Sequence, residues 1–221
     1  MEDFNCIIEN IRNTRGIKRI KISLNSYEKA EEYFVKIANA FLEWKNIQYD
    51  ISEVRPYVKK LINWAYMLGE DLDFTKGIIL KGKTGRGKTF LFNVFTEFLK
   101  IDNLQYVSNG KLLSLNLTKI HARQLASSYQ KNGFEVIDYY SKVPCLFIDD
   151  IGTEMSQSQN FGNKINVVEN LLDMREDNNL LTFATTNLEK FSEQYDDRLI
   201  SRMNSLFNVI SINHDKDYRG L

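Results

Sequence analysis

The sequence predicts an α/β fold, a parallel β-sheet layered between helices. Three observations carry that expectation. From residue 77 onward, short apolar runs alternate with segments of helical periodicity. One run, GIILK at 77–81, leads directly into the glycine-rich string GKTGRGKT at 82–89, which fits G-x-x-x-x-G-K-[ST], the P-loop pattern. Another, PCLFIDD at 144–150, ends in two carboxylates, at the strand end where open sheets of this class place ligands.

Taken in order, the chain begins with a basic stretch, 10–21, holding Arg12, Arg15, Lys18, Arg19 and Lys21 and no acid after Glu9. Such a stretch is either a solvated arm or a contact for phosphates or an acidic partner. Ser26 reads as an N-cap. The helix it opens runs to Trp44 with Ala30, Phe34, Ile37, Ala38, Phe41 and Leu42 on one face. A second helix is expected from Ser52, with Pro56 in its first turn, a stripe of Val58, Leu61, Ile62, Ala65 and Leu68, and Gly69 at its C-terminus. Residues 1–50 are therefore expected to form a small helical N-terminal extension, and 51–221 the main domain. Two amphipathic helices bury little by themselves, so they must pack on that domain or on a partner.

The first sheet strand is expected at 77–81, followed by a helix whose apolar face is Leu91, Val94, Phe95, Phe98 and Leu99. Further strands are expected at 112–117, 144–149, 181–186 and 207–212. Helices are expected at 122–129, 163–176 and 195–203, with Gly133 breaking another before the third strand.

Composition sets limits. Lys and Arg total 29, as do Asp and Glu, so the formal net charge is zero. That balance gives no reason to expect a protein that coats DNA by bulk charge. The cysteines, Cys6 and Cys145, lie far apart and lack C-x-x-C spacing, against a zinc module. The chain has no apolar stretch of membrane-spanning length and no signal-like N-terminus, so a cytoplasmic protein without membrane partners is expected.

The site chemistry follows from residue types. Glycines let the loop of Gly82, Lys83, Thr84, Gly85, Arg86, Gly87, Lys88 and Thr89 turn its N–H groups inward, and a helix N-terminus adds its dipole. Lys88 reaches the β- and γ-phosphates, and the Thr89 hydroxyl ligates Mg²⁺. Asp149 suits Mg²⁺ held through water, and Asp150 suits a general base for the attacking water. Asn187, ending the strand at 181–186, is placed to orient that water. Arg198 and Arg202, one helical turn apart, either pair with surface acids or supply an arginine finger. The string DDIG at 149–152 also fits the D-x-x-G of GTPases. The N-K-x-D that reads guanine has only NKIN at 163–166 to match it, with an amide in place of the needed carboxylate.

Four strings taken together, GKTGRGKT at 82–89, LFIDDIGTE at 146–154, TTNL at 185–188 and DRLISRM at 197–203, resemble the AAA+ ATPases. Within them they look like the DnaC-type helicase loaders and the similar IstB-type transposition ATPases. The resemblance covers roughly residues 54–221. It implies a P-loop NTPase sandwich of three layers with a five-stranded parallel sheet in the order 5-1-4-3-2. It further implies that Asp149 and Asp150 are the Walker B pair, that Asn187 is sensor 1, and that Arg202 is a finger acting on a neighbour's ATP. Arg219, in DYR at 217–219, resembles a sensor 2. The cofactors implied are ATP and Mg²⁺. The partners implied are a replicative helicase or a transposase, single-stranded DNA, and further copies of the chain assembled by ATP. The short stretch after Arg202 is expected not to hold a full lid domain. A rival within the same fold is a nucleotide-dependent adaptor with little turnover.

Overall fold

The computed structural model describes residues 16–21, 27–154, 158–160, 163–189, 191–193 and 195–218. Ser26, Arg12, Arg15, Cys6 and Arg219 lie outside the described residues. Along the chain come β1 (Ile17–Arg19), α1 (Tyr27–Leu42), α2 (Arg55–Tyr66), β2 (Gly77–Lys81), α3 (Lys88–Phe98), β3 (Gln105–Ser108), β4 (Lys111–Ser114) and β5 (Leu117–His121). There follow α4 (Ala122–Asn132), α5 (Phe134–Lys142), β6 (Cys145–Ile151), β7 (Ser158–Asn160), β8 (Asn163–Ile165), α6 (Val167–Asp177), β9 (Leu181–Thr186), α7 (Asp197–Leu206) and β10 (Phe207–Ser211).

Five strands form the main sheet in the order β10-β2-β9-β6-β5, and every pairing is parallel. Counted along the chain, these sheet strands stand 5-1-4-3-2. Side chains alternate across the pleat, so each inner strand serves two cores. Cys145 and Phe147 of β6 enter one, and Leu146 and Ile148 enter the other. The first core, shared with α1, α2 and α3, is aromatic. Phe92 lies tilted against Phe147 with centroids 4.7 Å apart, and Trp64 meets Phe183 edge-on at 5.0 Å. The second, shared with α4 to α7, is aliphatic, with Leu125, Leu171 and Leu199 over Ile79 and Ile148.

The amphipathic helices behave as their spacing demands. Ala30, Phe34 and Ala38 of α1 are buried, and the Phe34 ring lies 5.7 Å from that of Phe98. Burying a side chain such as Phe34 contributes about 1.5–3 kcal/mol. Helix α2 carries Pro56 in its first turn but stops before Gly69. Met67 takes the left-handed C-cap at φ 57°, and Leu68 N donates back to Asn63 O at 2.8 Å.

Two expected elements are corrected. Residues 112–117 are not the second sheet strand. Asn109 (φ 47°) and Gly110 (φ 76°) make a two-residue hairpin turn that pairs Lys111 with Ser108. Strands β3 and β4 therefore join β1 in a separate antiparallel sheet, and the chain enters the main sheet only at Leu117. The helix expected at 163–176 starts later. Its first residues form β8, paired with β7, and Asn166 then caps α6 by accepting from Glu169 N at 3.1 Å.

Candidate nucleotide site

The loop after β2 is fixed on both sides. Gly82 N donates to Thr186 O of β9 at 3.2 Å, and a Cβ on Gly82 would lie 2.6 Å from Ile212 O, so only glycine fits. Gly85 and Gly87 adopt φ of 88° and 76°, a region that costs other residues about 1 kcal/mol or more. The turn delivers the chain into α3 at Lys88, with no side chain capping the helix N-terminus. Lys88 is 4% exposed. Its Nζ arches back to donate to Gly82 O (2.7 Å), Lys83 O (2.9 Å) and Asn187 Oδ1 (2.6 Å). An ammonium buried beside backbone carbonyls and an amide is charge held in place for an anion.

The end of β6 faces this loop. Asp149 Oδ1 accepts from Thr89 Oγ1 at 2.8 Å and from Thr185 Oγ1 at 2.7 Å, while Oδ2 meets Lys119 Nζ at 3.0 Å. Asp150 sits at φ 57° where the β6–β9 register slips between Ile148 and Ile151. A bulge of this kind re-aims a side chain at some cost in strain. Asp150 N donates to Thr185 Oγ1 at 2.8 Å, and its carboxylate receives Asn187 Nδ2 at 3.2 Å and lies 3.5 Å from His121 Nε2. Asn187 thus bridges the loop lysine and the strand-end acid.

Lys88, Thr89, Asp150, Asn187 and His121 line a cavity of about 810 Å³. Asp150, Asn187, His121, Arg123 and Thr153 line it with polar groups, and Tyr49, Val54, Phe90 and Tyr218 supply apolar wall. The hydroxyls of Tyr49 and Tyr218 are buried with no partner among the described residues. Burial pushes both phenols above their ordinary pKa. A cavity with a phosphate loop, an apolar wall and unpaired buried hydroxyls fits a nucleotide better than a lone anion. Residues 212–218 form a strap across the loop. Tyr218 N donates to Gly85 O at 2.8 Å, Arg86 Nη2 lies 3.3 Å from Asp215 Oδ1, and Lys216 Nζ lies 3.2 Å from Asp50 Oδ2.

The fold therefore brings Gly82, Lys83, Thr84, Gly85, Arg86, Gly87, Lys88, Thr89, Asp149, Asp150 and Asn187 together. Arg202 is elsewhere. Its guanidinium pairs with Asp173 and Glu176 of α6, and Arg198 joins Asp173 at 3.0 Å. Lys119, His121 and Thr185 touch the two aspartates, and the sequence marks none of them as a site residue. The Asn109-Gly110 turn was the signal for the first two, because it moves the sheet strand onto them.

A phosphate loop joining the first strand of such a sheet to a helix, with an acidic strand end one strand further along the sheet, defines a P-loop nucleotide-binding domain. Residues 78–210 match the family described as "ATPase family associated with various cellular activities (AAA)", and the chain belongs to it. Solved structures agree in fold. A DnaI crystal structure aligns with a TM-score of 0.54 and 21% identity over 76% of this chain and 89% of that one. AMPPCP-bound DnaA from Aquifex aeolicus gives 0.50 and 18% over 79% of this chain and 51% of that one. A replication initiator DnaA bound to AMPPCP and single-stranded DNA gives 0.50 and 17% over 79% and 50%. This chain thus spans about half of the DnaA chains. No curated protein sequence matches it. Among the described residues, no helix is long and apolar enough to cross a membrane.

Proposed function

We propose that the protein is a Mg²⁺-dependent ATP hydrolase that loads a replicative helicase onto single-stranded DNA. One observation carries the hydrolase reading: the contact line Lys88–Asn187–Asp150, which links the phosphate-binding lysine to a general base through a single amide. Lys88 binds the β- and γ-phosphates, and Asn187 fixes Asp150 and the attacking water relative to them. Asp150 accepts the water's proton. The oxygen donors of Thr89 and Asp149 suit Mg²⁺, which when bound neutralises charge on the phosphates. The loader reading rests on the four strings at 82–89, 146–154, 185–188 and 197–203, and the fold shared with DnaI and DnaA is consistent with it. In an ATP-driven assembly, Arg202 would leave Asp173 and Glu176 to reach a neighbour's phosphates.

Asp150→Asn keeps the site's shape and cannot take a proton. ATP binding should persist while kcat falls by about 10²–10⁴. Hydrolysis at the wild-type rate would remove Asp150 from the mechanism. Affinity purification of the full chain with ATP should recover a helicase. Recovery of a transposase instead would replace the loader reading, and tight ATP binding with no turnover in the wild type would favour the adaptor.

A further inference from the structure

We propose that Arg123 binds the γ-phosphate within its own protomer, so that a single chain distinguishes ATP from ADP. The inference rests on the nucleotide reading of the cavity and adds a residue to it. Strand β5 brings the chain to the sheet edge beside β6, His121 caps α4 by accepting from Arg123 N at 3.2 Å, and Arg123 follows on the first turn. Its Nε donates to Thr153 O at 3.0 Å. Thr153 is itself tied to the bulge, its N and Oγ1 donating to Asp150 O at 3.2 and 2.7 Å. The arginine is thereby fastened to the same turn that aims Asp150.

That fastening uses one of five N–H groups. The four on Nη1 and Nη2 have no partner among the described residues, and Arg123 lines the cavity. A guanidinium anchored through Nε leaves its fork free, the geometry that takes two oxygens of one phosphate. Of the other cations of the cavity wall, one belongs to the phosphate loop and two are turned to partners away from it. Lys88 is bonded to Gly82, Lys83 and Asn187, Lys216 is turned to Asp50, and Lys45 sits 5.1 Å over the Trp44 ring. Contacts run from Lys88 through Asn187 and Asp150 to His121, two residues before Arg123. A γ-phosphate between them meets an ammonium at one side and a fork at the other. ADP, which lacks that group, leaves the fork empty.

The test is calorimetry on the full chain with a non-hydrolysable ATP analogue and with ADP, at a dilution where light scattering shows monomers. Arg123→Ala should weaken the analogue by about tenfold to a hundredfold, the loss of a charge-assisted phosphate contact. ADP affinity, which also reports intact folding, should stay within about twofold, since ADP makes no use of the fork. Arg123→Lys should recover little, because a point charge cannot replace the fork. If wild type binds the analogue and Arg123→Ala leaves the ratio of the two affinities unchanged, the assignment of Arg123 fails alone. A wild-type chain that binds neither nucleotide overturns the reading of the cavity as well. Mixing Arg123→Ala with Lys88→Ala protein should restore no hydrolysis. Recovery would mean that Arg123 serves a neighbour's site.

Discussion

Two cations are buried at opposite ends of the sheet, and they are built differently. Arg175, on α6, is 0% exposed. Its guanidinium donates to Thr182 Oγ1 (2.8 Å), Tyr140 O (2.7 Å), Val143 O (2.8 Å) and Leu181 O (2.7 Å). Burial lowers its pKa to about 10, so it keeps its charge at neutral pH. It staples α5, α6 and the starts of β6 and β9 through carbonyls, in a place no ligand reaches. Lys88 at the far end donates to three oxygens, but it borders an open cavity. Similar hydrogen bonding thus occurs at both ends, and what separates the two cations is that only Lys88 borders a cavity. Burial alone would not separate them.

The largest expected effect tests the structural half. Arg175→Ala leaves a void and four oxygens without their donor, and should destabilise the protein by about 3–5 kcal/mol in denaturant unfolding. Arg175→Lys should recover only part of this, because one ammonium cannot reach partners on three elements. ATP affinity of the protein that remains folded should be unchanged. If Arg175→Ala alters affinity and not stability, the contrast between the two ends collapses.

Lys88→Ala should do the reverse. ATP affinity should fall by about tenfold to a hundredfold, from a lost phosphate contact of about 1.5–3 kcal/mol. Stability should change less than in Arg175→Ala, since Asn187 lines the cavity and neither Gly82 nor Lys83 is buried, so water can reach the freed oxygens. Calorimetry and denaturant melts on the same preparation check both halves. Unchanged ATP affinity would remove Lys88 from the phosphate site.

The same contrast explains what was legible in the sequence. The loop at 82–89, the acids at 149 and 150 and Asn187 were readable because each sits in a local string whose residue types are forced by chemistry. Partners from a neighbouring strand carry no such string. Lys119 and His121 lie on β5, an edge strand whose sequence LTKIH looks too polar for a sheet strand, and the apolar KLLS beside it drew the assignment away. Arg175 could not be distinguished from the exposed charges of its helix, because its partners are backbone carbonyls brought in by the fold. Arg202 was legible as one member of an arginine pair. Its acids, Asp173 and Glu176, come from another helix, so which role it plays depends on assembly and not on its own string.

The smallest expected effect lies at the mouth of the cavity, where Asp50 and Lys216 join the wall to the strap. The Asp50 carboxyl is lowered to about 2, chiefly by hydrogen bonds from Ser52 and then by Lys216. Its value in an unfolded chain is about 4. A carboxyl depressed in the folded state stabilises above its unfolded pKa, and that contribution is lost as pH falls from about 4 to about 2. Asp50→Asn should therefore be slightly less stable than wild type at neutral pH, with the difference shrinking across that window. Both groups face solvent, so salt should screen their ion pair, whereas the buried bonds of Arg175 should be indifferent to it. Lys216→Met should retain most of the acid-side behaviour, because Ser52 remains. Acid titrations of stability at low and high salt would settle the order of causes: if Lys216→Met abolishes the pH dependence and Ser52→Ala does not, the ion pair dominates, and the strap is held at the mouth by charge.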